Sequence, residues 1–247
     1  ERVRRLGNAL GGLGAGVGGR IGVLGWNCHR HFEAYYAIPG IGAVLLLLNI
    51  RLSPPDLAYV INHAETRFIL VDETLIPLAE AVMAQCPAVE GYIVMSDKGL
   101  TNIQTKLDPV YDYEKLVEEA DPDIEWPMMD EKSACAACYT TGTTGRPKGV
   151  YYSHRDVYLH ATAIANNAEI NVRDCFYQLV PMFHALGWGL PYGAIYAGAK
   201  YVLPGMYNTA DLGSLAEPLV SESVSVTAGA PALFMPMLEY IRRLDKK

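Results

Sequence analysis

No stretch of these 247 residues is apolar for long enough to cross a bilayer. The most apolar run, Ala43-Val-Leu-Leu-Leu-Leu48, is far shorter than the roughly 20 residues a spanning helix requires, and no signal-peptide pattern is visible. Basic charge is also in deficit: 20 Lys and Arg stand against 27 Asp and Glu, a net charge of -7 with no basic stripe. Such a surface repels a phosphate polyanion, which argues against nucleic acid as a partner. Cysteine is sparse and odd in number, five in all, which without a secretion signal points to reduced thiols in the cytoplasm. There is no internal repeat, and no low-complexity tract beyond the early glycines. With 51% hydrophobic and 19% charged residues, the chain is a folded globular protein and can bury a sizeable core. It does not begin with Met and ends in Arg242-Arg-Leu-Asp-Lys-Lys247, so both ends read as cuts within something longer.

What is present is an alternation of β-rich apolar runs with amphipathic stretches. Strands are expected over 21–26, 45–49, 67–71 and 92–95, with helices over 29–38, from Pro54-Pro55-Asp56 onward, and over 75–85. This rhythm predicts βαβ units, hence an α/β fold with a largely parallel sheet and helices on both faces. A polar, proline-containing stretch over 121–132 reads as a linker, and the rhythm then resumes. Strands are expected over 134–139, 176–180, 201–203 and 224–227, and helices over 154–168, 186–196 and 212–220. The expected domains are therefore two βα lobes, 1–125 and 126–247.

Three features that mimic functional motifs are set aside on context. Gly14-Ala-Gly-Val-Gly-Gly19 fits G-x-G-x-x-G, but Leu6, Leu10 and Leu13 precede it at helical spacing and Ile21-Gly-Val-Leu24 follows as a strand. A dinucleotide loop needs the reverse order, strand then helix. Cys135-Ala-Ala-Cys138 lies within an apolar strand with no second pair or spaced His to complete a zinc site, so these read as buried thiols. His63 and His160 stand alone and receive no role.

The strong signal is Tyr139-Thr-Thr-Gly-Thr-Thr-Gly-Arg-Pro-Lys-Gly149: four threonines, three glycines and a lysine in eleven residues, directly after a strand. Glycines permit close backbone approach, so that N–H groups converge on one anion. Threonine hydroxyls add donors, each hydrogen bond to a charged group contributing about 1.5–3 kcal/mol, and Lys148 adds a point charge for outer phosphates. A Thr/Gly surface turn is the plain alternative, but turns need only a few such residues. The segment is not a Walker loop, because Pro147 and Gly149 stand where that pattern requires Gly and Ser or Thr.

Residues 139–149 resemble the phosphate-binding signature of the adenylate-forming superfamily of acyl-CoA synthetases, luciferases and amino-acid adenylation domains. The likeness continues in Tyr152-Ser-His-Arg155, Pro181-Met-Phe-His184, Gly229-Ala-Pro-Ala-Leu-Phe234, Asn49-Ile-Arg-Leu-Ser53 and Ala58-Tyr-Val-Ile-Asn-His63. It covers nearly the whole chain and is greatest toward bacterial long-chain fatty acyl-CoA synthetases. The resemblance implies a truncated large amino-terminal domain of such an enzyme, an AMP-forming acid–thiol ligase that makes an acyl-adenylate from a fatty acid and ATP and passes the acyl group to coenzyme A. It implies Mg²⁺ bound by Thr140, and β- and γ-phosphates held by Thr140, Thr141, Gly142, Thr143, Thr144, Gly145 and Lys148. His184 and the backbone at Ala185 would lie beside the α-phosphate and carboxylate, with His184 and Lys148 as catalytic groups. Trp188, one helical turn on from His184, would share its face and line the acyl entrance, with Gly229 also against the substrate. Fatty acid, ATP and CoA are the implied partners; the sequence leaves the oligomeric state open, with a homodimer among the assemblies it allows.

The departures are equally specific. The family's Tyr-Gly-x-Thr-Glu motif, which supplies a second magnesium ligand, is absent and is not replaced by Tyr192-Gly-Ala-Ile195. The Thr-Gly-Asp ribose site, the hinge and the carboxy-terminal lysine are absent too, so residues 1–247 alone are expected to be inactive. Gly19 stands where relatives carry Asp. His184 occupies the place where amino-acid-activating relatives have Asp, so a substrate ammonium would lack its countercharge. Phe183, Leu186, Trp188, Leu190 and Phe234 suit an alkyl chain equally with ordinary core packing. Other acids, aryl or medium-chain, remain open, as do a non-catalytic phosphate-binding module and a redox or metal module built on the cysteine pair.

Overall fold

The computed structural model describes residues 1–140, 145–208, 210 and 212–244. By contacts the chain divides into two compact units, one of Glu1–Gly25 with Arg30–Asp156, the other of Trp26–His29 with Val157–Lys247.

The first unit is built on a seven-stranded sheet of β1 (Arg20–Leu24), β2 (Val44–Leu47), β3 (Thr66–Asp72), β4 (Gly91–Met95), β5 (Val110–Asp112), β6 (Ala134–Thr140) and β7 (Lys148–Ser153), in the order β5-β4-β3-β1-β2-β6-β7. Every pair is parallel except β6 with β7. A parallel sheet is hidden on both faces and its strands read as continuous apolar runs; all four residues of β2, Val-Leu-Leu-Leu, are buried. Side chains alternate. Val44 and Leu46, with Ile69, Val71 and Val94, pack against Leu57, Val60 and Ile61 of α3 (Pro54–His63) and Ala79 and Val82 of α4 (Ile76–Met83). Leu45 and Leu47 point the other way and are equally buried. α3 starts where its sequence dictates: Ser53 accepts from the Asp56 N–H, and prolines fill the first turn.

β1 to β4 and β6 appear within a residue or two of their expected places. The lobe boundary at 125/126 does not coincide with the contact division. β6 pairs in parallel with β2, and β7 with β6, so 126–156 belong to the first unit. The linker-like polarity of 121–132 marks a crossover back to the same sheet, which local composition cannot distinguish from a lobe boundary. β5, its following helix α5 (Tyr113–Glu119) and β7 have no counterpart among the expected elements.

Charged groups tie α1 (Arg2–Gly12), α2 (His29–Gly40) and α5 together. The Arg2 guanidinium donates to Glu33 at 2.6 Å and to Glu114 at 2.8 Å, the Tyr113 hydroxyl donates to Glu33 at 2.6 Å, and Arg30 donates to Glu114 and Asp97. Burial alone would raise the Glu114 carboxyl, but hydrogen bonds from Arg2 and Arg30 outweigh it and hold the group below its ordinary value.

In the second unit β8 (Cys175–Gln178) lies between β10 (Val226–Ala228) and β9 (Lys200–Val202), all parallel. Tyr177 and Leu179 pack against Leu215 and Ala216 of α8 (Leu212–Ser221) and Met237 of α9 (Pro231–Leu244). Phe176 packs with Ala194 of α7 (Gly189–Tyr196) and Ile164 of α6 (His154–Asn167). α6 and α7 approach closely through glycine: a Cβ at Gly189 would lie 2.1 Å from His160 Nε2, and one at Gly193 2.6 Å from Ile164 Cγ2. The helix expected over 186–196 begins only at Gly189, because 182–188 are taken up by successive turns. Among the described residues no helix is long and apolar enough to cross a membrane.

The charge cluster predicts acid sensitivity. A depressed carboxyl contributes stability that is full above its unfolded value, about pH 4.3 for Glu, and is lost as pH falls through the lower folded value. The unfolding free energy should therefore drop on acidification below about pH 4.3, and Glu114→Gln should flatten that part of the profile; urea denaturation across this range checks it.

Candidate active site

The threonine-rich segment lies between β6 and β7, which pair antiparallel. Its loop leaves the carboxyl end of β6, the end of a parallel strand from which ligand-binding loops emerge, and returns as β7. Thr140 pairs with Lys148 and Tyr139 with Gly149. Opposed residues share a face with Cβ atoms about 4.5–5.5 Å apart, so the Thr140 hydroxyl and the Lys148 ammonium, both exposed, flank the loop mouth together. Gly145 is exposed on the returning side. Thr141, Gly142, Thr143 and Thr144 lie outside the described residues.

The base of this hairpin is fixed from α3. The Tyr139 hydroxyl and His63 Nδ1 share a hydrogen bond of 2.7 Å, with the two rings edge-on at 5.8 Å. Tyr59, one turn earlier on α3, has its ring 5.3 Å from His63, and the Arg146 guanidinium lies over the Tyr59 ring at 5.1 Å. The Tyr139 ring covers Gly149, where a Cβ would come within 2.8 Å of it. Burial, with neighbouring Tyr151, pushes the Tyr139 phenol well up, so it stays protonated. His63, given no role from sequence, is thus bonded to the first residue of the signature. Its spacing of four from Tyr59 on an expected helix was the available signal.

In the second unit His184 sits on a turn, ahead of α7. Its carbonyl accepts from the N–H of Gly187 at 2.7 Å and of Trp188 at 3.0 Å, and its Nδ1 accepts from the Leu186 N–H at 3.1 Å. With Nδ1 as the acceptor nitrogen, Nε2 is the one free to carry a proton and donate. His184 and Ala185 are exposed. Gly187 is required: a Cβ there would lie 2.4 Å from the Pro181 carbonyl oxygen. Trp188 is only 4% exposed, stacked on His160 at 5.3 Å and edge-on to Tyr192 at 6.0 Å. The shared helix face expected for His184 and Trp188 is therefore corrected: one backbone turn links them, but one side chain faces out and the other packs inward. Gly229 follows β10, its α-carbon covered by the Phe234 ring.

The AMP-binding enzyme family model matches residues 1–247. The chain belongs to the AMP-binding enzyme family. It is 44% identical over 243 residues to a long-chain-fatty-acid–CoA ligase of Thermus thermophilus, covering 98% of this chain and 43% of that protein. It is 39% identical to a medium-chain-fatty-acid–CoA ligase of Ectopseudomonas oleovorans, covering 96% of this chain and 43% of that protein. The fold matches the crystal structure of a long-chain-fatty-acid–CoA ligase from Archaeoglobus fulgidus with a TM-score of 0.85 at 22% identity, covering 98% of this chain and 46% of that one. The chain thus spans less than half the length of these relatives.

Cys135 and Cys138 are buried in β6, three residues apart and so on opposite faces, and burial pushes both thiols up to about 12. Among the described residues no group of three or more His, Cys, Asp or Glu could hold a metal ion. The glycine segment 14–19 connects α1 to β1, with Gly14 and Gly18 at positive φ, a helix-to-strand turn as expected. An exposed threonine hydroxyl does fit Mg²⁺, a hard cation that keeps several waters and takes few protein oxygens beside substrate phosphates.

The hairpin anchor is testable by coupling. Tyr139→Phe and His63→Ala should each lower stability by about 1 kcal/mol, and the double variant should lose less than the sum because both remove one bond. Denaturant unfolding of the four proteins measures the cycle.

Proposed function

We propose that these residues are part of an ATP-dependent fatty acyl-CoA synthetase. The observation that carries the reading is the pairing of Thr140 with Lys148 across the mouth of the signature loop, in a chain 44% identical to a long-chain-fatty-acid–CoA ligase. In the proposed reaction a fatty carboxylate attacks the α-phosphorus of ATP, giving acyl-adenylate and pyrophosphate, and the CoA thiol then displaces AMP. The first step joins two anions, so a preorganised cationic site must offset their repulsion.

In this reading Lys148 and the loop residues Thr141, Gly142, Thr143, Thr144 and Gly145 hold the β- and γ-phosphates. Thr140 would hold Mg²⁺, which supplies charge neutralisation to the polyphosphate when bound. His184 faces the α-phosphate and carboxylate with Nε2–H as donor, since its Nδ1 already accepts from Leu186, and the Ala185 backbone lies alongside. Trp188, held by His160 and Tyr192, and Gly229 contribute to the acyl wall. Burying alkyl groups yields about 0.8 kcal/mol per CH₂, which favours long chains; the 39% identity to a medium-chain ligase supports shorter ones as the second reading. Cytoplasmic placement is supported by the reduced thiols of Cys28, Cys86, Cys135, Cys138 and Cys175.

In the full-length protein, Lys148→Ala or Thr140→Ala should lower fatty-acid-dependent ATP–pyrophosphate exchange at least ~100-fold, the scale of a lost charge-stabilising group. Near wild-type exchange in both variants refutes the assignment. Chain length is tested separately. Palmitate offers eight more methylenes than octanoate, about 6 kcal/mol of potential binding, so kcat/KM should favour palmitate strongly. Trp188→Ala should change that preference more than it changes the KM for ATP. A flat profile that the substitution leaves unaltered sinks the acyl-wall role.

A further inference from the structure

The turn that presents His184 hangs from two buried side-chain amides. Asn27 is 3% exposed and uses all of its reach on that segment: Nδ2 donates to the Gln178 carbonyl at 2.8 Å and to the Val180 carbonyl at 3.0 Å, and Oδ1 accepts from the Met182 N–H at 2.8 Å. Gln178, fully buried, donates from Nε2 to the Val180 carbonyl at 2.6 Å and to the Gly187 carbonyl at 3.3 Å, while its Oε1 accepts from the Tyr201 hydroxyl at 2.7 Å. Asn27 is itself anchored, its carbonyl accepting from the Gly205 N–H at 2.9 Å.

From Met182 the path to the imidazole is short and stiff. The Pro181 carbonyl accepts from the His184 N–H at 3.0 Å, and the same carbonyl leaves no room for a side chain at Gly187. The His184 ring then accepts the Leu186 N–H. A connection between β8 and α7 could leave its backbone groups to water at no desolvation cost. Here they are met by buried amides instead, and the product is an exposed imidazole with one orientation and one tautomer, the property a group must have to meet developing charge without reorganising.

We infer that Asn27 is a positioning residue for His184, fixing through the Met182 N–H and the Gln178 and Val180 carbonyls the turn that aims His184 Nε2–H. The inference rests on the proposed placement of His184 beside the reacting carboxylate and α-phosphate. It makes a distinct chemical demand, because position 27 needs a donor and an acceptor at once. An aspartate there would still accept from Met182 but would set a second oxygen against two carbonyls with no proton between them.

The test uses the full-length protein, with Asn27→Asp, His184→Ala and the double variant. Asn27→Asp should lower kcat for fatty-acid-dependent ATP–pyrophosphate exchange roughly 100-fold, the scale of a misplacement of about 1 Å, with the KM for ATP little changed. In the His184→Ala background the same substitution should cost about 3-fold or less, because the two act as one unit. ¹⁵N NMR of labelled histidine, with the His184 signal identified by its loss in His184→Ala, should show the Nε2–H tautomer in the wild type and a tautomer mixture in Asn27→Asp. Should Asn27→Asp not fold, Gln178→Glu, which exchanges the donors to the Val180 and Gly187 carbonyls for an acceptor, carries the same expectations. Wild-type exchange by His184→Ala overturns the reading of His184 on which the inference rests. Loss of exchange in His184→Ala, with an unaltered tautomer in Asn27→Asp or an equal effect of Asn27→Asp with and without His184, overturns the inference alone.

Discussion

The hydrogen-bonded ladder between β2 and β6 is the constraint on which the loop chemistry depends. Leu45, Leu46 and Leu47 pair with Ala136, Ala137 and Cys138, and because both strands are buried the register cannot slip by one residue without turning every side chain to the wrong face. Thr140 is therefore delivered at a fixed height, where β6 emerges from cover. The chain then reverses, and β7 runs back antiparallel with half-exposed Val150 and Tyr151. A parallel crossover would have returned the chain at the opposite end of the sheet; the antiparallel return brings Lys148 opposite Thr140. One strand direction thus places a hydroxyl and an ammonium together on a protein whose net charge is -7, and the phosphate role proposed for them rests on local geometry set against the average field.

How much of this was legible follows from the range over which each signal acts. β1, β2, β3, β4 and β6 were readable because buried parallel strands are continuous apolar runs, and α3 because Ser53, Pro54, Pro55 and Asp56 satisfy its first turn locally. The threonine-rich segment stood out in the sequence because its signal lies in consecutive residues. β7 escaped because Lys148-Gly-Val-Tyr-Tyr-Ser153 is an edge strand, exposed along much of its length, and its pattern is set by a neighbour instead of by a core. β5 escaped because three half-buried residues carry too little periodicity. The expected lobe boundary and the contact division differ for a related reason: polarity over 121–132 reports exposure, whereas membership of a sheet is decided by pairing with β2, about ninety residues earlier in sequence.

His184 and Trp188 show the same limit at finer scale. A spacing of four predicts a shared face only inside a helix, and the helix begins after both. Pro181 and Gly187 were visible in the sequence, yet their effect lies in three dimensions. The proline carbonyl accepts from His184 and approaches Gly187 so closely that no side chain fits between. The turn that results leaves the imidazole outward and sends the indole into the stack with His160 and Tyr192.

Loop backbones carry polar groups that no regular ladder satisfies, so their partners must come from side chains or water. In the second unit a buried side chain, Asn27, meets such backbone groups; in the first, His63 bonds a side chain, the Tyr139 hydroxyl at the end of β6. His63 reaches Tyr139 across 76 residues, and Asn27 reaches Met182 across 155. Asn27 lies in none of the segments that carry the resemblance, because its identity is fixed by what it must donate and accept. A side chain of this kind contributes to stability like any buried hydrogen-bonding group, about 1 kcal/mol per bond. A displacement of about 1 Å at a reacting group, by contrast, is worth about 100-fold in rate, some 2.7 kcal/mol. The larger number belongs to aim, so substitutions at such positions are best judged by rate and tautomer rather than by melting alone.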